Sequence, residues 1–197
     1  MKFLNMNVSL FIVYLGQVAK CGSPSADLNH QLFRHWSKRS VLVFRDYANF
    51  QISNGRTGDC AAKAAAVFLA PYKLDRPDLD PAGFGAKGKI GLPIDRTDLK
   101  VCNRMTRAAT KAEENFNDAI SRNVGNSVLA DQLQNGKICN KVLKLTGSVL
   151  CLQMEVELSQ GTSDRVQKLL TQIQKLNKQI AIDKRNANQI QQSFLMV

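Results

Sequence analysis

The chain has 197 residues, 44% apolar and 22% charged, with 27 Lys and Arg against 16 Asp and Glu, a formal charge of +11. That balance suits one domain with its own core and excludes a large multidomain enzyme and a polytopic membrane protein. Five cysteines are few for a disulfide-dense miniprotein but suit an exported domain stapled by a small number of bridges.

The first 21 residues read as a signal peptide. Lys2 supplies the positive start, and Val8 to Leu15 (VSLFIVYL) forms a short apolar run flanked by Asn5, Asn7 and Gln17. The run is shorter than the roughly 20 apolar residues of a membrane span. Cleavage is expected before Gly22, with cleavage after Ala19 or an uncleaved anchor as alternatives. Lys20 before Cys21 argues against a lipoprotein. No later run is long enough to span a bilayer, so a secreted, extracellular product is expected.

Residues 22–39 are polar, lack a sustained period and end in the dibasic pair Lys38-Arg39. They read as a propeptide cut after Arg39, or as a solvated linker. His30, His35 and Trp36 all lie here, so residues 40–197 contain neither histidine nor tryptophan. Ser-His-Asp and Cys-His nucleophile systems therefore cannot be built from the body, nor can a histidine-containing zinc site. The body carries 22 Lys and Arg against 15 Asp and Glu, a net charge of +7.

The body, residues 40–197, is expected to be all-α. The pattern predicts an antiparallel up-down four-helix bundle with two long C-terminal helices. The segment VLVFRDYANFQIS is ambiguous, with Arg45 to Ile52 expected to be helical before a turn at Asn54-Gly55. Asp59 to Ala70 is an alanine-rich helix, and residues 72–93, with three prolines and four glycines, form a loop. Asp95 to Ser121 follows as a helix with Val101, Met105, Ala108, Ala112 and Phe116 inward.

Ser127 to Ser159 carries Ile138, Val142, Leu145, Val149, Leu152 and Val156 at alternating steps of four and three. Gly136 and Gly147 share one of its faces with Asn140 and Leu143. They mark a groove where a neighbouring helix approaches closely, or else two tolerated defects that each cost about 1 kcal/mol. Thr162 to Phe194 shows a similar seam: Val166, Leu169, Ile173, Leu176, Ile180, Ala187, Ile190 and Phe194, broken only by Asp183. Gly161 ends the preceding helix, and Thr162 or Ser163 caps the new one.

If Cys21 leaves with the signal, four cysteines remain. Cys139 and Cys151 lie on one helix about 18 Å apart and cannot bond each other. Folding the hairpin about Val124 puts Cys102 opposite residue 147, one turn from Cys151. The expected bridges are Cys102–Cys151 and Cys60–Cys139; Cys60–Cys151 with Cys102–Cys139 stays open.

Lys137, Lys141 and Lys144 form a stripe on the third helix, while Lys168, Lys175, Lys178, Lys184 and Arg185 decorate the fourth. This surface could hold an anionic cell-surface component or lipid headgroups, or be an ordinary solvated face. No aromatic residues are interleaved for base stacking and no nucleic-acid fold signature occurs, so no sequence-specific nucleic acid is expected. Asp75, Asp78 and Asp80 lack calcium-loop spacing, Glu113-Glu114 and Glu155/Glu157 diverge on a helix, and Gly83 to Lys89 is not a phosphate loop. Catalytic residues, cofactor and metal are therefore expected to be none. The amphipathic seams also permit a bundle that opens onto lipid.

RDYANFQISNGRTGD (Arg45 to Asp59), NGKICNKVLKLTGSVLCLQ (Asn135 to Gln153) and KLNKQIAIDKRNANQIQQSF (Lys175 to Phe194) resemble a group of effector-like small secreted proteins of filamentous fungi. The likeness spans most of residues 45–194 and its motifs are structural. It implies secretion, a helical body and no established enzyme activity. The resulting expectation is a non-enzymatic binding protein acting at a host or cell-wall surface, with a protein or an anionic surface component as partner.

Overall fold

The computed structural model describes residues 40–74, 94–158 and 163–197. The expected signal peptide, propeptide and dibasic pair lie outside them, as do the Asp75/Asp78/Asp80 cluster, Gly83 to Lys89, and the Gly161 and Thr162 helix boundary. In chain order the elements are α1 (Tyr47–Phe50), β1 (Gly55–Arg56), α2 (Cys60–Phe68), a 3-10 turn (Ala70–Tyr72), α3 (Arg96–Arg122), α4 (Ser127–Leu158), α5 (Ser163–Arg185), β2 (Ile190–Gln191) and a final 3-10 turn (Phe194–Met196). The fold is all-α apart from the two-residue antiparallel pairing of β1 with β2.

The four main helices are α2 to α5, and α4 is their central post. Its 32 residues span about 48 Å. The seam residues Ile138, Val142, Leu145 and Val149 are buried, and so are Leu133, Leu143, Leu150 and Met154 on its other faces. A helix packed on several sides cannot be read as one stripe. Two disulfides join the neighbours to it. Cys60–Cys139 links α2 to α4 at a Cα separation of 5.3 Å, and Cys102–Cys151 links α3 to α4 at 5.8 Å. Cys60 meets Cys139 while Phe68 meets Gly147, so α2 runs parallel to α4; Cys102 meets Cys151 while Glu113 meets Lys144, so α3 runs antiparallel.

Both α4 glycines sit where other chain approaches. A Cβ on Gly147 would overlap the Thr106 hydroxyl of α3 and approach Cζ of Phe68 in α2 at 2.8 Å. At Gly136 the neighbour is not a helix. A Cβ there would overlap the backbone carbonyl oxygen of Gln192, just past β2.

Three sequence expectations are corrected. The Arg45 to Ile52 helix is only the single turn α1. Gln51 is already extended, and the carbonyls of Ile52 and, beyond it, Asn54 accept from the Gln191 side-chain amide rather than continuing a helix. On α3 the buried stripe includes Cys102 and Ala109, while Val101 and Ala108 are only half-buried. The last helix stops at Arg185 rather than Phe194, so Ala187, Ile190 and Phe194 are not seam positions.

Asp183 explains the early stop. The residue that interrupts the apolar seam is fully buried and accepts from Gly58 N at 2.8 Å and Cys60 N at 3.1 Å, serving the unpaired donors at the start of α2. Beyond it Asn188 turns left-handed at φ 68° and Thr57 hydrogen-bonds the departing chain at Asn186 and Gln189. Asp183→Ala leaves the buried Cys60 N–H and the half-buried Gly58 N–H unpaired, and urea unfolding is expected to show a loss of about 3 kcal/mol. A change under about 1 kcal/mol would mean that water replaces the carboxylate there.

Buried Asn140 fastens a further junction. Its Oδ1 accepts from the Tyr47 hydroxyl at 2.9 Å and its Nδ2 donates to the Ala109 carbonyl at 2.9 Å, joining α1 and α3 to α4. Phe194 completes that corner by stacking on Tyr47 at 5.7 Å and meeting Phe116 edge-on at 5.0 Å.

Candidate functional site

A groove of about 370 Å³ opens between α3, α4 and α5. Thr110 and Glu113 of α3 form one wall and Lys141, Lys144, Leu145 and Ser148 of α4 the floor. Gln172, Lys175 and Gln179 of α5 form the other wall. Helical spacing accounts for each wall: 110 and 113, 141 and 144 with 148, and 172 with 175 and 179 are steps of three or four, which share a helix face.

Glu113 organises the charge. Its carboxylate pairs with Lys144 and lies 3.5 Å from Lys141 Nζ, and side-chain exposure is only 22% for Glu113 and Lys144 and 30% for Lys141. Burial tends to raise the Glu113 pKa. The hydrogen bond and charge of Lys144, then those of Lys141, outweigh it and hold the carboxyl below its ordinary range. Lys137, one turn away, is pushed down by burial first and by repulsion from Lys141 second, with Glu113 opposing. One carboxylate thus serves a ridge of three ammonium groups and leaves a positive groove.

The structure sorts the predicted lysines. Lys141, Lys144 and Lys175, from two helices, converge on the groove; Lys137 adjoins it. Lys168 is not in its lining and pairs instead with Asp164 on its own helix at 2.8 Å, and exposed Lys178 is not in the lining either. The lining hydroxyls and amides, and the role of Glu113, were missed from sequence. The same hairpin register that pairs Cys102 with Cys151 would have brought Glu113 within a turn of Lys141 and Lys144. The adjacent Glu114 is exposed, so the two acids do not face one another.

Among the described residues no group of three or more His, Cys, Asp or Glu side chains could hold a metal ion, and no helix is long and apolar enough to cross a membrane.

Residues 42–195 match the model of a family described as a domain of unknown function, DUF8454. The chain belongs to this family. No curated protein and no solved structure matches it. The DUF8454 region opens at Leu42, the first buried residue described, and closes at Leu195 beside the Phe194 corner. It therefore contains the whole groove and both disulfides.

Proposed function

We propose that this DUF8454 protein is an exported, non-enzymatic binding protein whose α3–α4–α5 groove engages an anionic component of a host or cell-wall surface. The observation that carries this reading is the convergence of Lys141, Lys144 and Lys175, with only Glu113 opposing them in the groove, among hydroxyl and amide groups. Ammonium groups give charge attraction; the Gln172 and Gln179 amides offer neutral donors and acceptors, and Thr110 and Ser148, whose hydroxyls donate to the Thr106 and Lys144 carbonyls, add acceptors. Two disulfides are compatible with an extracellular setting. The resemblance to effector-like proteins of filamentous fungi supports the same setting.

Binding to dextran sulfate, with neutral dextran as control, tests the groove. The triple substitution Lys141→Gln, Lys144→Gln and Lys175→Gln is expected to weaken binding roughly tenfold at low salt, the sum of three modest contacts. Glu113→Gln should strengthen binding, because it removes the anion that competes for Lys144. Unchanged affinity in both variants would refute the groove as the site.

The runner-up is a bundle that lays apolar helix faces on lipid. Its supporting observation is that both disulfides fasten α2 and α3 to α4, while α5 carries no cysteine. Flotation with neutral and acidic vesicles separates the readings. Binding to neutral vesicles favours the opened bundle, and salt-sensitive binding to acidic vesicles alone favours the lysines.

A further inference from the structure

We propose that Asp98 is a docking site for a new amino terminus. Cleavage of the Arg39–Ser40 bond by a dibasic-specific endoprotease would free a Ser40 ammonium that pairs with this buried carboxylate and fastens the start of the domain to α3. The proposal rests on the reading of Lys38-Arg39 as a processing pair.

Asp98 lies in the first turn of α3 and is fully buried. Its Oδ1 accepts three hydrogen bonds from one short segment: Ser40 Oγ at 2.5 Å, Val41 N at 2.9 Å and Leu42 N at 2.9 Å. Its Oδ2 is buried and has no hydrogen-bond partner. No Lys or Arg nitrogen among the described residues pairs with it within 4.0 Å. The buried Tyr72 hydroxyl faces the same carboxylate but makes no hydrogen bond within 3.5 Å. Burial first, then the Asp98 charge and hydrogen bonding of the phenol toward that carboxylate, push the phenol well above its ordinary range, with Asp95 adding a smaller effect.

A buried carboxylate without a cation is costly, and an unused oxygen beside it is unusual in a packed core. In the uncut chain the Ser40 nitrogen is a neutral amide with one hydrogen and supplies no charge. Hydrolysis changes that. Water adds across the peptide bond, Arg39 leaves with the carboxylate, and the proton released joins the amine, giving Ser40 an ammonium with three donors. That nitrogen is bonded to the same Cα as the side chain whose hydroxyl already lies on Oδ1, so the new ammonium forms beside this carboxylate. The following residues are anchored: Leu42 is buried, and the Arg104 guanidinium lies 3.7 Å above the Phe44 ring.

The full chain is secreted, and intact mass with N-terminal sequencing reads the product. The expected start is Ser40. Acylation of the Ser40 α-amine with a small anhydride should then run roughly tenfold slower in native than in urea-unfolded protein, the ratio for one unit of pKa elevation. In vitro cleavage should raise the thermal midpoint above that of the uncut Arg39→Gln chain. Asp98→Asn keeps an acceptor for the Val41 and Leu42 amides but no charge, so it should abolish both the slow acylation and the thermal gain. A product retaining residues before Ser40 overturns the processing reading and the proposal with it. Cleavage at Ser40 with equal acylation in native and unfolded protein overturns the docking alone, even if Asp98→Asn does not fold. A slow acylation or thermal gain that survives in Asp98→Asn also overturns the docking.

Discussion

Removing the Cys60–Cys139 bridge with the paired substitution Cys60→Ala and Cys139→Ala is expected to cost about 4 kcal/mol in urea unfolding. The bridge spans a sequence separation of 79 residues, against 49 for Cys102–Cys151, so its removal releases more of the unfolded chain's freedom. In chain-entropy terms the difference between the two is only about 0.4 kcal/mol, and local packing decides the rest. Both half-cystines are fully buried, so alanine also leaves space where the sulfurs were. The bridge sits beside the Asp183 junction and next to Gln191, where β2 closes over α2. Its loss should therefore loosen the C-terminal tail first, visible as faster amide exchange at Gln191 and Ser193. A loss under about 1 kcal/mol would mean that the helix contacts alone restrain these segments.

The second large effect concerns Gly136. Helix propensity alone says that Gly136→Ala should stabilise α4 by about 1 kcal/mol. The opposite is expected. The new methyl would overlap the Gln192 carbonyl oxygen and come within 2.9 Å of its carbon, and a backbone group cannot swing aside as a side chain can. Displacing it would disturb the Gln192 N to Gln132 carbonyl bond and the Asn135 contacts to Gln189 and Ile190. A net destabilisation of about 2–3 kcal/mol is expected by urea unfolding. Gly125→Ala is the control: a Cβ there meets nothing within 4 Å, so its effect should stay within about 0.5 kcal/mol. A Gly136→Ala protein as stable as the parent would mean that the tail is not seated on α4.

Much of the architecture was legible because it depends on local periodicity. The steps Leu169, Ile173, Leu176 and Ile180 oblige α5 to bury one face, and that face is buried. The same regularity misled beyond Asp183. Ile190 continues the spacing but is 52% exposed, because the helix has already ended. Asp183 was visible only as an interruption, since its partners, Gly58 and Cys60, lie more than 120 residues earlier. Glu113 was likewise visible as an acid but not as the counter-charge of Lys141 and Lys144, which requires the register between α3 and α4.

The sequence by itself determined the helical class and the approximate positions of four main helices, and hairpin geometry favoured the two cysteine pairs without excluding the alternative. It also determined the absence of histidine from residues 40–197. These follow from spacing along one chain and from composition. Tertiary structure alone decided which lysines share a groove, where the last helix stops and which carboxylates are buried. Each of those depends on residues far apart in sequence meeting across a packed interface, where an unpaired N–H, a Cβ overlap or an uncompensated charge costs more than helix propensity returns.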